Sequence, residues 1–533
     1  MNGYAAVPDL LARAGLTTVF GLVGSSNVAW VAHGVQSGRL RFIRVRHEES
    51  AVAAAAAFAR TTSNVGVATV SRGPGFANTV NALAAAQSAH SPVLLIVGQS
   101  PTGKEPVNQN LDQEGIARCL GIGFHHVQRP SELAEAFLSA LAAARWNGTP
   151  QVLSISEQLP GWQVDTDIAD PAPQEPAGPD PAHVSAAVDL LSHATNPLVL
   201  AGAGAVLADC RAELMDLAER IGARLTSSLN AHRYFAGHPS DLGVCGTVSS
   251  PLAQEHFHRA DVVLAVGASL NSYTTGLGST FPHARVIQCE IDVNQPFRAS
   301  ATDLGLLGDA RTTVRAITAE WRRRNLANRP TPAASPTLAE IQAAALKIDL
   351  GHDPARGLDP RHVYVALDRL IPQDRTVVVD AGRARHPLPM LLNAPGATRW
   401  IESRGYGTIG LGIGATIGAA AADLGTTVLI CGDGGFAMGV QDLDAFRLNG
   451  LNACLIVIND EQYGSERKYV RAHDLPPQVA RQPLPDVVTL AAAFGGTGTV
   501  VRDNAGLQRL RLPSHGLHIF DIRTDPEVDT ESL

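Results

Sequence analysis

The sequence lacks a surplus of positive charge. Its 533 residues include 42 Lys and Arg against 50 Asp and Glu, which gives a formal net charge of −8. A protein that binds nucleic acid or an anionic membrane surface usually presents a basic face to it. We therefore expect no nucleic-acid partner, although local groups remain available to hold a small anionic ligand.

Cysteine is scarce and widely spaced. The six cysteines include no CxxC pair, and a disulfide framework is implausible in a chain of this length. This pattern fits a reducing, cytoplasmic compartment. The N-terminal residues also lack a basic segment followed by an apolar one, so they do not predict a signal peptide.

No apolar run is long enough to predict a membrane span. The longest, Ile409–Ala422, is rich in Gly and Ala and ends at Asp423, whereas a spanning helix needs about 18–20 apolar residues. We therefore expect no association with a membrane.

The length and composition predict several globular domains. Hydrophobic residues make up 45% of the chain and charged residues 17%, and one compact core rarely serves more than about 250–300 residues. Two Pro-rich polar segments, 165–183 and 325–359, have the composition of linkers. They divide the chain into predicted domains at 1–164, 184–324 and 360–533.

Each predicted domain alternates short apolar runs with Ala- and Leu-rich helical patterns. Continuous apolar runs bounded by Gly and followed by helices indicate buried parallel strands. We predict an α/β protein with three doubly wound parallel-sheet domains. The runs read VFGLV, RFIRV, VGVATV and PVLLIVG in the first domain, PLVLAG, DVVLAVG and ARVIQCEID in the second, and TVVVDAG, TTVLICGD and ACLIVIND in the third.

The most informative motif lies in the third domain, where an apolar strand leads into Gly432-Asp433-Gly434-Gly435. Twenty-six residues after Asp433, a second apolar strand ends at Asn459. Backbone N–H groups of the glycines can approach phosphate oxygens. Asp433 and Asn459, at the carboxyl ends of neighbouring strands, would supply hard oxygen ligands of the kind Mg²⁺ prefers. The pattern predicts a site for a metal ion and a diphosphate.

This spacing resembles the signature of thiamine diphosphate enzymes, and the resemblance extends along nearly the whole chain towards the acetolactate synthase and benzoylformate decarboxylase branch. It is specific for cofactor and fold and much less specific for substrate. The segments that carry it, besides the metal motif, are Val45-Arg46-His47-Glu48, the Gly-Pro-Gly loop at 70–78, Gly98-Gln99-Ser100, Asp112-Gln113 and Gly405-Tyr406-Gly407-Thr408-Ile409-Gly410.

In the first domain, the resemblance implies that Glu48 is the catalytic glutamate that bonds the cofactor pyrimidine and exchanges a proton with it. Glu49 would be its solvated neighbour. Asn78, at the end of the Gly-Pro-Gly loop, would contact the cofactor. Gln113 and Ser25 would face the substrate.

In the third domain, the resemblance implies both a cofactor cradle and a metal site. The Gly407 carbonyl and the Ile409 N–H would bond the aminopyrimidine, and the Ile409 side chain would hold the cofactor bent. The metal ligands would be Asp433, Asn459 and the backbone carbonyl of Glu461. The remaining cofactor contacts would be Gly382, Arg383, Thr408, Gly434 and Gly435.

Several positions depart from the family pattern and leave the substrate pocket open. Asp460 stands where a second Asn is frequent, and the run after it differs from that of acetolactate synthases. Arg72 stands where a small residue is common, so it either fills the pocket or binds a substrate carboxylate. Tyr463 and Glu466 are further candidates for the pocket. His90 stands alone and is interpreted as a packing residue.

The central domain carries only part of a nucleotide-binding pattern. Gly202 and Gly204 follow an apolar strand, but Leu207 occupies the position of the third glycine. The run Gly267–Asn271 also departs from that of flavin-binding acetolactate synthases. We expect a mainly structural domain, with FAD or ADP binding left open.

The resemblance implies an enzyme that requires thiamine diphosphate and Mg²⁺ and acts on 2-oxo acids as a homodimer or homotetramer. In the family, the first domain of one chain and the third domain of its partner share the cofactor. We favour decarboxylation followed by carboligation, as in acetolactate synthases. The alternatives are a simple decarboxylase that releases an aldehyde, a non-catalytic cofactor-binding homologue, and a nicotinamide-dependent dehydrogenase centred on Gly202 and Gly204.

Overall fold

The computed structural model describes residues 1–99, 108–166, 178–291, 302–402 and 406–532. These residues form three six-stranded sheets in which neighbouring strands run parallel. The predicted fold of three doubly wound α/β domains is confirmed. The strands are β1 Thr18–Gly21, β2 Arg41–Arg44, β3 Gly66–Val70, β4 Val93–Gln99, β5 Gly123–Val127 and β6 Gln151–Ser156; β7 Pro197–Ala201, β8 Arg224–Ser227, β9 Asp241–Val244, β10 Val262–Val266, β11 Arg285–Glu290 and β12 Leu304–Leu307; and β13 Arg375–Val379, β14 Trp400–Glu402, β15 Thr426–Gly432, β16 Ala453–Asn459, β17 Thr497–Val501 and β18 Leu517–Arg523.

The first and third sheets share one strand order. It reads β2-β1-β3-β4-β6-β5 in the first domain and β14-β13-β15-β16-β18-β17 in the third. The central sheet has the order β12-β11-β10-β7-β8-β9, which is that of a dinucleotide-binding fold. In open sheets of this kind, ligands bind beyond the carboxyl ends of the strands where the strand order reverses. In the third domain that point lies beside β13 and β15.

The helices cover both faces of each sheet, as parallel strands require. None of the described helices combines the length and the apolar character needed to cross a membrane. Their bounds are α1 Gly3–Arg13, α2 Val28–Gln36, α3 Glu48–Thr62, α4 Pro74–Ala77, α5 Val80–Ser88, α6 Gln113–Leu120 and α7 Leu133–Asn147; α8 Pro181–His193, α9 Ala203–Leu207, α10 Arg211–Ile221, α11 Pro251–His258 and α12 Ala310–Arg323; and α13 Leu338–Lys347, α14 Pro360–Leu370, α15 Leu388–Leu391, α16 Gly412–Ala421, α17 Asp433–Met438, α18 Asp444–Asn449, α19 Gly464–Ala472, α20 Val487–Ala493 and α21 Asn504–Arg509.

Helices α3 and α16 join the first and third domains through small residues. A Cβ atom added to Gly418 would lie 1.9 Å from the backbone oxygen of Ala54, and one added to Gly414 would lie 2.9 Å from the Cα of Ser50. The two helix backbones therefore approach more closely than any larger side chain would allow. Buried residues of both helices belong to one continuous apolar core.

The predicted linkers differ in part from the structure. Segment 325–359 has the composition of a linker, but it includes α13, which begins at a capping box between Thr337 and Glu340. Gln342 on this helix is buried and donates to the Leu391 carbonyl at 2.9 Å. In segment 165–183, residues 181–183 already belong to α8, and residues 167–177 lie outside the described part of the chain.

Candidate active site

A cavity of about 260 Å³ lies in the third domain, at the carboxyl ends of β13, β15 and β16. Within the described part of the chain, all the residues that line it lie between Pro360 and Glu531. They include most of the cofactor positions predicted in this domain: Gly382, Arg383, Gly407, Ile409, Asp433, Gly434 and Gly435, together with Tyr463 and Glu466. The structure thus brings most of the predicted third-domain residues together at the switch point of the sheet, while Thr408, Asn459 and Glu461 do not line this cavity.

Asp433 begins α17 directly after β15, and its side chain is only 2% exposed. Its Oδ1 atom accepts a hydrogen bond from the Gly434 N–H at 3.0 Å, while its buried Oδ2 atom has no hydrogen-bond partner among the described residues. Burial, reinforced by the nearby Asp460, raises the pKa of Asp433 to about 8. A buried carboxylate oxygen without a donor is what a bound cation would satisfy.

Asn459 ends β16 beside Asp433 and is also buried. Its Nδ2 atom donates to Asp521 at 2.8 Å, which orients the amide oxygen. That oxygen accepts from the Glu461 N–H at 3.1 Å, and Glu461 itself has a left-handed backbone. The Glu461 carbonyl accepts from the Gln482 N–H at 2.8 Å. Both oxygens are therefore fixed in position, and each keeps one further lone pair.

The glycines after Asp433 have no room for side chains. A Cβ atom on Gly434 would lie 2.4 Å from the Tyr463 ring, and one on Gly435 would lie 2.3 Å from Oδ2 of Asp380. Asp380 begins the loop that continues to Gly382 and Arg383, and no role for its side chain is predicted from the sequence. It follows β13 directly, and its Oδ2 atom accepts from the Gly410 N–H at 2.8 Å. Its signal was a carboxylate at the end of an apolar strand, the same signal that pointed to Asp433.

Arg383 lines the cavity, but nearby acidic residues partly neutralise its positive charge. Its guanidinium lies 3.9 Å from Asp460 and 3.8 Å from Asp529, and it donates to the Val528 carbonyl at 2.5 Å. The C-terminal residues around Val528 form one wall of the cavity, which no sequence motif had indicated.

Thr408 is placed differently from its neighbours Gly407 and Ile409. Its hydroxyl donates to the Oδ1 atom of Asn81 in the first domain at 2.8 Å. Thr408 thus fixes the cofactor segment to the first domain of its own chain. Gly405, at the start of the same motif, lies outside the described residues.

Glu48 is the first residue of α3, and it lies beside the Gly-Pro-Gly loop. Its Oε2 atom accepts from Asn78 at 2.9 Å, and its Oε1 atom would lie 3.5 Å from a Cβ on Gly75. Glu49, expected to be solvated, is instead half-buried and accepts a hydrogen bond from Asn81. The reason is that α5 runs alongside α3 and places Asn81 within reach.

The substrate-side residues predicted in the first domain are dispersed. Gln113 is 4% exposed, donates to the Gly98 carbonyl at 3.2 Å and accepts from Ser154 at 3.1 Å, so its amide is held inside the domain. Ser25 is exposed in the turn after β1. Arg72 forms an ion pair with Glu157. None of these residues, and neither Glu48 nor Asn78, lines the third-domain cavity. Ser100 lies outside the described residues.

In the central domain, the two glycines have a packing explanation. A Cβ on Gly202 would lie 2.1 Å from the Gly267 oxygen, and one on Gly204 would lie 2.8 Å from the Gly267 Cα. The Gly204 N–H donates to the same oxygen at 3.0 Å. Close approach of the turn after β7 to the turn after β10 therefore accounts for the pattern. Binding of FAD or ADP by the central domain stays an open prediction.

Three segments of the chain match domains of one family. Residues 1–116 match the N-terminal TPP binding domain of thiamine pyrophosphate enzymes, residues 184–317 their central domain, and residues 380–511 their C-terminal TPP binding domain. These matches include Glu48 and Asn78 in the first segment and Asp433 and Asn459 in the third. The two halves of a site for thiamine diphosphate are therefore present.

Full-length relatives agree with the domain matches. An acetolactate synthase from Arthrospira platensis is 30% identical over 99% of this chain and 95% of its own length. The large subunit of acetolactate synthase isozyme 3 from Escherichia coli is 27% identical over 93% and 89%. A sulfoacetaldehyde acetyltransferase from Castellaniella defragrans is 27% identical over 88% and 82%. The predicted resemblance is confirmed: the chain belongs to the family of thiamine pyrophosphate enzymes, in its acetolactate synthase-like branch.

Proposed function

We propose that this enzyme uses thiamine diphosphate and Mg²⁺ to decarboxylate a 2-oxo acid and join the remaining acyl unit to a second carbonyl compound. The observation that carries the proposal is the buried Oδ2 of Asp433, which has no hydrogen-bond partner in the described part of the chain and lies at a glycine turn without space for side chains. Relatives named acetolactate synthase support the carboligation outcome.

Asp433, Asn459 and the Glu461 carbonyl would hold the Mg²⁺. Among the described residues, no group of three or more His, Cys, Asp or Glu side chains suits a metal ion. A cation here therefore depends on mixed ligands, with phosphate oxygens completing its coordination. The N–H groups of Gly434 and Gly435 are suited to phosphate oxygens because no side chain stands in front of them.

When bound, thiamine diphosphate supplies a nucleophilic carbon that adds to the substrate carbonyl and accepts the electrons released with CO₂. Glu48 would hold and return the proton on which activation of that carbon depends. Asn78 donates to the Glu48 carboxylate at 2.9 Å and so fixes its orientation. Gly407 and Ile409 would grip the pyrimidine end from the third domain.

A second copy of the chain would complete the site. Glu48 and Asn78 do not line the cavity that contains Asp433, so the first domain of a partner would provide these groups. This supports a homodimer as the smallest active unit, with a homotetramer as a further possibility.

Incubation of the purified enzyme with thiamine diphosphate, Mg²⁺ and a panel of 2-oxo acids tests the proposal. CO₂, free aldehyde and hydroxyketone products would be measured separately, with Glu48→Gln as the inactive reference. We expect CO₂ release coupled to hydroxyketone formation. Aldehyde as the sole organic product would instead indicate a simple decarboxylase, and no CO₂ from any 2-oxo acid would refute the proposal.

A further inference from the structure

A second and larger cavity, of about 810 Å³, lies where the three domains meet. The first domain contributes α3 and α5, the central domain residues 206–211 and the segment after β8, and the third domain residues 395–402. None of the central-domain glycines considered for nucleotide binding lines it. The cavity is therefore distinct from the Asp433 site, and in the central domain it borders the end of α9 at Val206 and Leu207 and not the glycines themselves.

Arginines bring positive charge to this cavity. Arg60 donates to the carbonyls of Ala397 and Asn230, and thus to the other two domains. Arg211 and Arg233 also line the cavity and likewise donate to backbone carbonyls. Among the described residues, none of these three guanidinium groups has a carboxylate within ion-pair distance, and burial lowers the pKa of Arg60 to about 10.

The acidic residues that line the cavity do not neutralise these arginines. Asp209 forms an ion pair with Arg311 at 2.9 Å, and Glu402 pairs with Arg385 at 3.3 Å. Neither of those two arginines lines the cavity. Outside the lining, Asp241 interacts electrostatically with Arg211 and Arg233, and Asp368 with Arg233. Buried charges are normally paired, so Arg60 is a lining guanidinium whose positive charge has no nearby carboxylate in the described part of the chain.

One wall of the cavity is apolar. It consists of small side chains on α3 and α5 and of two residues at the start of the α16 region: Ala53, Ala56, Ala57, Ala82, Ala85, Ala86, Leu411 and Ala415. Concave sites with an apolar lining and a few convergent charged groups are typical of sites for small organic ligands.

We propose that this three-domain cavity binds a small organic anion, with its carboxylate, sulfonate or phosphate group at the arginines and its apolar part against the alanines. A ligand there would contact α3, which begins at Glu48, and β14, which precedes the cofactor segment Gly407–Ile409. A ligand bound in the cavity would therefore contact elements that lead to both halves of the catalytic site.

Anilinonaphthalene sulfonate, an aromatic anion that fluoresces in apolar surroundings, is a suitable probe. Calorimetric and fluorescence titrations would use the full-length protein loaded with thiamine diphosphate and Mg²⁺. We expect saturable binding at about one probe per chain. Phenylnaphthylamine, which has the same aromatic body without the sulfonate, should bind at least about 10-fold more weakly, because a charge-assisted hydrogen bond is lost.

Three variants locate the site. Arg60→Gln should weaken sulfonate binding by about 10-fold or more while leaving the neutral probe nearly unchanged. Ala56→Leu fills the cavity without a change of charge, so it tests the site even if Arg60→Gln fails to fold, and it should weaken both probes. Arg224→Gln is the matched control, since Arg224 also donates to a backbone carbonyl but lies outside the cavity.

Two results would overturn the proposal. One is the absence of saturable sulfonate binding to the loaded enzyme, as would follow if a partner subunit filled the cavity. The other is binding that Ala56→Leu leaves unchanged, which would place the probe elsewhere on the protein.

Discussion

At the scale of single residues, the buried Oδ2 atom of Asp433 offers the sharpest test of the metal site. Asp433→Asn keeps the shape but removes the negative charge, and we expect the affinity for thiamine diphosphate in the presence of Mg²⁺ to fall by roughly 100-fold. Equilibrium dialysis measures this directly. Asp423→Asn, at an exposed position in the same domain, is the control. Unchanged retention of the cofactor in Asp433→Asn would remove Asp433 from the site.

Glu48 and Glu49 provide an internal comparison, because the two side chains contact different asparagines. Glu48→Gln keeps a hydrogen bond to Asn78 but cannot transfer a proton. We expect exchange of the cofactor C2 proton with deuterium to slow by about 10²–10⁴-fold. Glu49→Gln should leave the exchange rate nearly unchanged. If Glu49 proved to be the sensitive position, the assignment would be shifted by one residue.

His232 makes the interface between the central and third domains sensitive to acid. It is 1% exposed, packs edge-on against Trp400, and has no hydrogen-bond partner at either ring nitrogen among the described residues. Burial, and to a lesser extent Arg233, hold the pKa of His232 well below its usual value. The imidazole therefore stays neutral in the folded protein while the unfolded chain takes up a proton as the pH falls below about 6.5.

Because the unfolded state binds more protons, the contribution of His232 is complete above that pH and decreases below it. Urea unfolding at pH 7.5, 6 and 5 would show this as a loss of free energy of unfolding. Between pH 7.5 and 5, we expect the free energy of unfolding to fall less in His232→Phe than in the wild type. The difference should be up to about 1.4 kcal/mol per pH unit. Equal losses in both proteins would show that His232 does not carry this pH dependence.

At the scale of elements, the contact between α3 and α16 depends on Gly418. Gly418→Ala would place its Cβ against the Ala54 carbonyl, and overpacking of this kind costs typically 1–3 kcal/mol. We expect a lower urea midpoint of unfolding. The effect on the affinity for the cofactor should be smaller. Gly161→Ala, where no atom lies within 4 Å of the added Cβ, serves as the control. A midpoint unchanged by Gly418→Ala would mean that α3 and α16 can move apart without a loss of free energy of unfolding.

The sequence predicted the strands with unbroken apolar runs better than the others, for a physical reason. Strands such as β4 and β16 are buried on both faces and read as unbroken apolar runs. β5 and β17 lie at sheet edges. The first four residues of β5 are half-buried, β17 alternates with exposed residues, and β18 is interrupted by the buried Asp521. Their patterns therefore resemble loops.

The candidate site was likewise predictable only where local chain geometry defines it. Asp433 and Asn459 follow apolar strands, so their proximity follows from the sheet. The roles of Asn81 with Thr408 and of Glu157 with Arg72 depend on contacts between distant segments. No spacing in the sequence encodes those contacts.

At the scale of the whole molecule, sharing of the site between two chains can be tested by mixing inactive variants. Glu48→Gln and Asp433→Asn chains should each be inactive alone. After unfolding together and reassembly in equal amounts, half of the dimers contain one chain of each kind, and each of these has one intact site. We expect about a quarter of the wild-type activity. Wild-type chains taken through the same treatment are the control. If they regain activity and the mixture of variants does not, the site is formed within one chain.

The common strand order of the first and third domains has a historical implication. Helix α3 follows the second strand of its sheet and α16 follows the second strand of the other, so the contact between them pairs equivalent elements. Duplication of an ancestral gene whose product self-associated through this helix accounts for both facts. By the same equivalence, Ser71 after β3 is the counterpart of Asp433 after β15. The two positions therefore differ in chemistry, because the third domain has an acid that suits a cation where the first domain has a serine.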